Sequence, residues 1–269
     1  MFEVFLGLQK KATPPGQLAI VTAGTHNVKV PSGVNSISAV LVGAAGERAG
    51  AGPGHGGGLS WRAQIPVTPG ETLTLELPVP TFNSGSDAVL RRGSTILLVA
   101  GCGSATGPGL GGKAKNAVND GGGNGGTGHN STYGGGGGAG GYNGNGGNGG
   151  TSATSAPGYN GTAGTGGAGG GGAGNYCGGG GGVGIMGEGA SGAGGTGSTQ
   201  SPSNGGRGGS EGFHGGGYSS ANPPTTQYSG GNYGGGYAAV GNGVPGRGAF
   251  RMIWGAGRAY PKTNTGDVV

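Results

Sequence analysis

The sequence predicts a mostly irregular and β fold: a small N-terminal β-sandwich completed by a C-terminal strand, with a sandwich of about ten polyglycine II helices inserted between the two. Three observations carry that expectation. Residues 26–103 alternate apolar and polar positions between turn signals; one strand-like run stands alone near the C-terminus; and between them glycine approaches half of all residues, interrupted at every third place.

Taken in order, the opening Met1 to Leu8 is apolar and short. Lys10 and Lys11 follow it, the reverse of the order a secretory signal uses, so synthesis in a cytoplasm is expected. No run reaches membrane-spanning length, and the protein is not expected to be membrane-inserted. Five strands are then predicted: "HNVKV" (26–30) alternates, "SISAVLVGA" (36–44) is a buried run, and "LSWRAQIPV" (59–67) alternates again. "VTPGETLTLEL" (67–77) sets Pro69-Gly70 as a turn before a period-2 strand, and "STILLVAG" (94–101) is a second buried run. The run Phe250 to Trp254 needs a ladder partner for its backbone groups, and the nearest sheet is the N-terminal one. The predicted organisation is therefore 1–119 plus 238–269 as a β-rich attachment domain and 120–237 as a glycine-rich receptor-binding domain.

Within 120–237 the interruptions keep a spacing of three: Asn124 and Thr127; Asn145, Asn148 and Thr151; Thr162, Thr165 and Ala168; Ala190, Ala193 and Thr196; Asn204, Arg207 and Ser210; Ser229 and Asn232. A flexible linker has no reason to hold that period, whereas polyproline II geometry has three residues per turn. Two of the three edges of a Gly-Gly-X helix are bare, so neighbouring helices can approach on them and exchange backbone hydrogen bonds while the third edge carries the side chain toward solvent. Gly134 to Gly138 and Gly178 to Gly182 have no side chain on any edge and belong in the middle of such a stack. Rods start near 120, 134, 144, 161, 169, 178, 187, 204, 215 and 230, and at about 3.1 Å per residue each spans roughly 20–28 Å. Alternating rods sort the turns into two groups. One end collects the loops at 128–133, 151–160, 175–177, 196–203 and 218–229; the other collects the short turns at 142–143, 168, 185–186 and 210–214.

Glycine at 81 and proline at 15 of 269 residues would by themselves suggest low complexity, and only the period argues otherwise. The net charge of +5 comes from scattered Lys and Arg, with one Arg-Gly-Gly at 207–209, which does not make a nucleic-acid surface. Cys102 and Cys177 imply neither a disulfide framework nor a metal site, and His26, His55, His129 and His214 lack ligand spacing. "GPGLGGKA" (107–114) approaches a phosphate-binding loop but lacks the magnesium-holding hydroxyl and is followed by a poor helix. The nine acids form no evident catalytic pair, so no enzyme, cofactor or metal is expected. Asn130-Ser131-Thr132 matches a glycosylation sequon but reads as loop chemistry.

The glycine stack with variable loops resembles the polyglycine II sandwich of receptor-recognising adhesins at the tips of T-even-type phage tail fibres. The terminal stretches "VPSGVNSISAVLVGA", "PVTPGETLTLEL" and "GAFRMIWGAGRAYP" resemble glycine-rich tail proteins of other tailed phages; the T-even family's own N-terminal attachment sequence is not present. The resemblance implies a non-enzymatic virion protein at the tip of a tail fibre, held by a trimeric fibre protein at its N-terminal lobe. Its distal loops would bind an outer-membrane protein or surface glycan of a bacterium. Candidate receptor-binding residues are His129, Asn130, Tyr133, Pro157, Tyr159, Asn160, Asn175, Tyr176, Gln200, Tyr218, Asn222, Gln227 and Tyr228, since loops on a rigid scaffold carry recognition. The competing reading of the tyrosines is that they cap the lattice ends. Phe2, Val4, Phe5, Leu6 and Leu8 are candidate fibre-attachment residues. The alternatives are an ice-binding bundle and a purely structural virion linker.

Overall fold

A computed structural model describes residues 13–46, 52–80, 86–151, 159–174, 177–197, 204–217, 228–239, 243–262 and 266–267. Among these the chain is mostly β, with a single turn of helix. The strands are β1 (Gly16–Ile20), β2 (Gly24–Lys29), β3 (Ser36–Val42), β4 (Leu59–Pro66), β5 (Thr72–Leu77), β6 (Asp87–Arg92), β7 (Thr95–Gly101) and β8 (Ala249–Trp254); the helix α1 is Gly112–Lys115. They form two antiparallel four-stranded sheets, ordered β1-β8-β3-β4 and β2-β5-β6-β7. The lone C-terminal run finds its ladder as β8, inserted between β1 and β3 with Phe250 opposite both Ile20 and Leu41.

Apolar residues alternating on the inner faces, among them Ile37, Leu41, Leu75, Leu90, Leu98, Phe250 and Met252, close a core between the sheets. Two strands lack a sequence signal of their own. β1 is an edge strand whose Leu18 and Ile20 are only half-buried, and β6 has three apolar residues before two arginines; each is fixed by its neighbours, β8 for the first and β5 and β7 for the second.

Beyond the sheets the glycine-rich segments are held by backbone bonds with a period of three. In 134–141, Gly135 and Gly138 N–H donate to Gly150 and Gly147, Gly136 and Ala139 to Gly178 and Gly181, and Gly137 and Gly140 to Gly54 and Gly57. Three consecutive amides face three neighbours, and the fourth returns to the first. In 168–174 the same rotation runs through Ala139 and Gly136, then Arg207 and Asn204, then Thr162 and Tyr159. In 177–184 it runs through Ala173 and Gly170, then Gly216 and Phe213, then Gly236 and Tyr233. These three segments bond one another and are walled by 52–58, 121–128, 144–150, 159–165, 189–197, 204–210, 212–217, 228–232 and 233–238.

Glycine is required because backbone oxygens occupy the places where Cβ atoms would stand. A Cβ on Gly137 would lie 2.0 Å from Gly126 O, and one on Gly180 would lie 2.1 Å from Gly137 O.

Of the residues that break the glycine run, Asn145, Asn148, Thr162 and Thr165 are exposed but engaged, whereas Ala168, Ser210 and Ser229 are buried against neighbouring segments rather than facing solvent. Asn145 Oδ1 accepts from Asn124 N–H at 2.9 Å and Asn148 Oδ1 from Thr127 N–H at 2.8 Å. Thr165 Oγ accepts from Asn145 N–H at 3.1 Å and Thr162 Oγ from Asn148 N–H at 2.7 Å. Each side chain thus satisfies the outward amide of the adjoining segment, which glycine could not do.

The lattice also extends past 120–237. Residues 52–58 form part of its wall, Ala45 and Gly103 add bonds at that edge, and Gly246 N–H donates to Gly235 O before the chain enters β8. Strands β3, β4, β7 and β8 therefore run directly from the sandwich into the glycine body.

Candidate functional site

The body has a free end and an attached end. At the free end, hydrogen bonds link Gly135 to Gly150, Gly150 to Gly172, Gly174 to Tyr159, Gly178 to Ala173, Asn204 to Thr196, Gly216 to Ser229 and Ala238 to Tyr228. This level carries the turn 129–133, and the described residues flanking 152–158, 175–176, 198–203 and 218–227 all stand at it or one step away.

Of the candidate receptor-binding residues, Pro157, Asn175, Tyr176, Gln200, Tyr218, Asn222 and Gln227 lie outside the described residues, as do Phe2, Val4, Phe5, Leu6 and Leu8. The others gather at the free end with different exposures. Tyr133 is 53% exposed and Asn130 is exposed beside it. His129 is half-buried, its backbone N–H bonded to Gly135 O and its Nδ1 3.3 Å from Ser131 Oγ. Asn160 is exposed, but its Oδ1 accepts from Gly197 N–H at 3.1 Å and so ties two wall segments together. Tyr228 is half-buried in a left-handed conformation (φ 63°). Tyr159 is only 2% exposed, so its ring seals the lattice end and offers a partner almost no surface.

At the attached end the short turns pack on the outer face of the β1-β8-β3-β4 sheet. Val40, Val42, Leu59, Ala249 and Ile253 meet Ala139, Tyr142, Val183 and Ile185 in a second apolar core. Tyr142 and Tyr260 stack there with centroids 5.9 Å apart and planes 14° from parallel. Tyr142 Oη donates to Gly184 O at 3.0 Å; burial, with the neighbouring Tyr260 adding to it, pushes its phenol well above the ordinary range and keeps it a donor. Tyr260 Oη donates to Ile185 O at 2.6 Å and accepts from Arg251 Nη1 at 2.9 Å, while Arg251 Nη2 pairs with Asp267 at 3.1 Å. Nothing in the sequence marked this network, since its members lie in three separate short turns and one strand.

The phosphate-loop lookalike spends its amides internally: Gly109 N–H donates to Gly56 O, Gly111 to Asn124 Oδ1 and Gly112 to Ser60 Oγ. Cys102 and Cys177 are buried and not joined in a disulfide, and burial pushes the Cys102 thiol up to about 12. Among the described residues no group of three or more His, Cys, Asp or Glu could hold a metal, and no helix is long and apolar enough to cross a membrane.

No family model, curated protein or solved structure matches this chain.

Proposed function

We propose that the chain is the adhesin at the tip of a phage tail fibre, with the glycine body a polyglycine II sandwich that presents the free-end loops to a receptor on a bacterial surface. The observation that carries this reading is the polarity of the body. The described residues that flank its varied connections stand at one end, and its short turns are sealed against the β-sandwich at the other. The period-three exchange of backbone bonds supports the polyglycine II assignment, because each residue of a three-per-turn helix faces a different neighbour.

The described chain also begins at the pole away from the free end. Thr13 Oγ bonds Gly33 O and Pro14 O accepts from Trp254 Nε1, both beside the strand ends remote from the glycine body. A fibre protein would hold the adhesin at this pole. Recognition is non-enzymatic, by shape and hydrogen bonding.

The test is to exchange 151–160 and 218–229 for those of a related phage and to score adsorption on receptor-deletion hosts. Transfer of host preference is expected; unchanged host range would favour a structural linker instead. Deleting residues 1–8 is expected to abolish incorporation into virions while leaving the glycine body folded. An ice-binding bundle would instead show thermal hysteresis.

A further inference from the structure

The two sheets end in four edge strands, β1, β4, β2 and β7, and the chain engages three of those edges itself. Along β4, Leu59 and Trp61 N–H donate to Gly123 O and Gly121 O, and Ala63 N–H to Asp120 Oδ2. Along β7, both backbone groups of Val99 bond the Asn119 amide, and Gly101 N–H donates to Leu110 O. At β1, Arg258 Nη1 donates to Gly16 O and to Gln17 Oε1. Among the described residues nothing covers the edge of β2.

Val30 bonds toward β5 through both backbone groups, its N–H to Glu71 O and its O from Gly70 N–H. The register runs unbroken from there, Lys29 opposite Thr72 through Gly24 opposite Leu77. Alternation along an antiparallel strand therefore turns the N–H and C=O groups of Thr25, Asn27 and Lys29 away from β5. Edges of this kind are usually blunted by proline, a bulge or several charges. β2 has no proline and no register shift, and its one Lys, Arg, Asp or Glu is Lys29 at its end.

The opening reaches into the core. β4 lies against β7 and β3 against β6 and β7, which sets β1 and β2 along the same side of the sandwich. Leu18 and Ile20 of β1 pack on the core there yet stay half-buried, with no strand beyond β2 to cover them. A strand added to β2 would satisfy its outward groups and lay alternate side chains over Leu18 and Ile20. Lys29 is exposed and pairs with no carboxylate among the described residues, so an acid on the added strand would complement it. β2 leads through Val30 into the turn that Thr13 bonds at Gly33, so this edge is continuous with the pole remote from the free end.

We infer that the fibre protein is held by strand addition: an extended segment of it, apolar at alternate positions and with Asp or Glu beside Lys29, pairs with the open edge of β2. The inference rests on the adhesin reading above and specifies how the attachment partner is bound.

The experiment uses virions of the phage that encodes this chain, deleted for its gene and grown on cells supplying the full chain or a variant. Copies per virion are counted by quantitative mass spectrometry. Asn27→Pro removes an outward N–H and leaves the bonds to β5 in place, so the purified variant should melt within about 3 °C of the parent. Its copies per virion should fall about ten-fold or more, and those of Lys29→Glu about three-fold or more. A photoactivatable crosslinker in place of Asn27 should join the chain to the fibre protein in intact virions, and this arm decides where Asn27→Pro does not fold. Normal incorporation of folded Asn27→Pro or of Lys29→Glu overturns strand addition while leaving the adhesin reading standing. So does a crosslink to residues 1–12 or to a second copy of this chain in place of the fibre protein, or no crosslink at all. Absence of the unaltered chain from virions overturns the adhesin reading itself.

Discussion

Replacing Gly180 by alanine tests the close approach of backbones in the body. Its φ lies outside the left-handed region, so the substitution carries no conformational penalty and the effect is one of space. The new Cβ would stand 2.1 Å from Gly137 O, 2.4 Å from Gly137 C and 2.8 Å from Gly138 N. Relieving this to an ordinary contact moves 134–141 away from 177–184 by about 1 Å. The bonds Gly136 N–H to Gly178 O and Ala139 N–H to Gly181 O, both 2.9 Å, would then be stretched out of range. Two lost bonds at about 1 kcal/mol each, plus about 1–3 kcal/mol for overpacking a segment walled on all sides, give roughly 3–5 kcal/mol. At about 2–4 °C per kcal/mol for a chain of this size, the melting point should fall by about 6–20 °C. The matched control is Gly107→Ala, where no atom lies within 4 Å and φ is again ordinary, and which should melt within about 2 °C of the parent. Scanning calorimetry on both variants reads the difference. A Gly180→Ala protein that melts with the control would refute the claim that backbone oxygens fill the space around this glycine. If Gly180→Ala does not accumulate as folded protein while Gly107→Ala does, the steric argument stands.

Three further outcomes are expected. Asn148→Ala removes the acceptor for Thr127 N–H on an exposed wall, where water can replace it, so chemical denaturation should show a loss of only about 0.5–1.5 kcal/mol. Tyr260→Phe leaves Ile185 O and one Arg251 donor without this partner inside the seam, and should lower stability by about 1–3 kcal/mol. Free-end amide exchange, followed by mass spectrometry, should be unchanged in that variant. His214 Nδ1 accepts from Gly208 N–H, and burial, with nearby Arg207 adding to it, holds the imidazole below its ordinary value. The unfolded chain therefore binds the proton more readily, so stability is full above about pH 6.5 and falls as pH drops from there through the lower folded value. Melting curves should show that fall blunted in His214→Asn.

How much of this was legible in the sequence differs between the parts. The triplet spacing of Asn145, Asn148 and Thr151 marked a body with three-residue periodicity because these interruptions stand on an outward edge of their segment. The strands with buried runs or strict alternation were legible for the same kind of reason. β1 and β6 were not, since Gly16–Ile20 and Asp87–Arg92 are set by ladder partners rather than by their own pattern. Residues 52–58 entered the wall without a triplet signature, as His55 and Pro53 break the run in a segment bonded on several sides. The free end was located by counting turns, but that Tyr159 is sealed in while Tyr133 is exposed depends on which neighbouring segment covers each ring, and no local pattern records that.

The same backbone chemistry that holds the body together also limits where it can act. In the inner segments the amides are spent on other segments and no side chain emerges. On the wall formed by 121–128, 144–150 and 159–165, Asn145, Asn148, Thr162 and Thr165 reach the outside, but their oxygens are already taken by neighbouring amides. A partner that sought those acceptors would have to displace internal bonds to gain its own, an exchange with little net gain. At the attached end the turns are closed by the tyrosine seam. At the free end residues such as Asn130 and Tyr133 are released from the triplet rule. On the proposed reading, substitution of exposed residues such as Asn130 and Tyr133 leaves the bonded levels beneath them intact, so a scaffold made of main chain would change its recognition surface at little cost to its own stability.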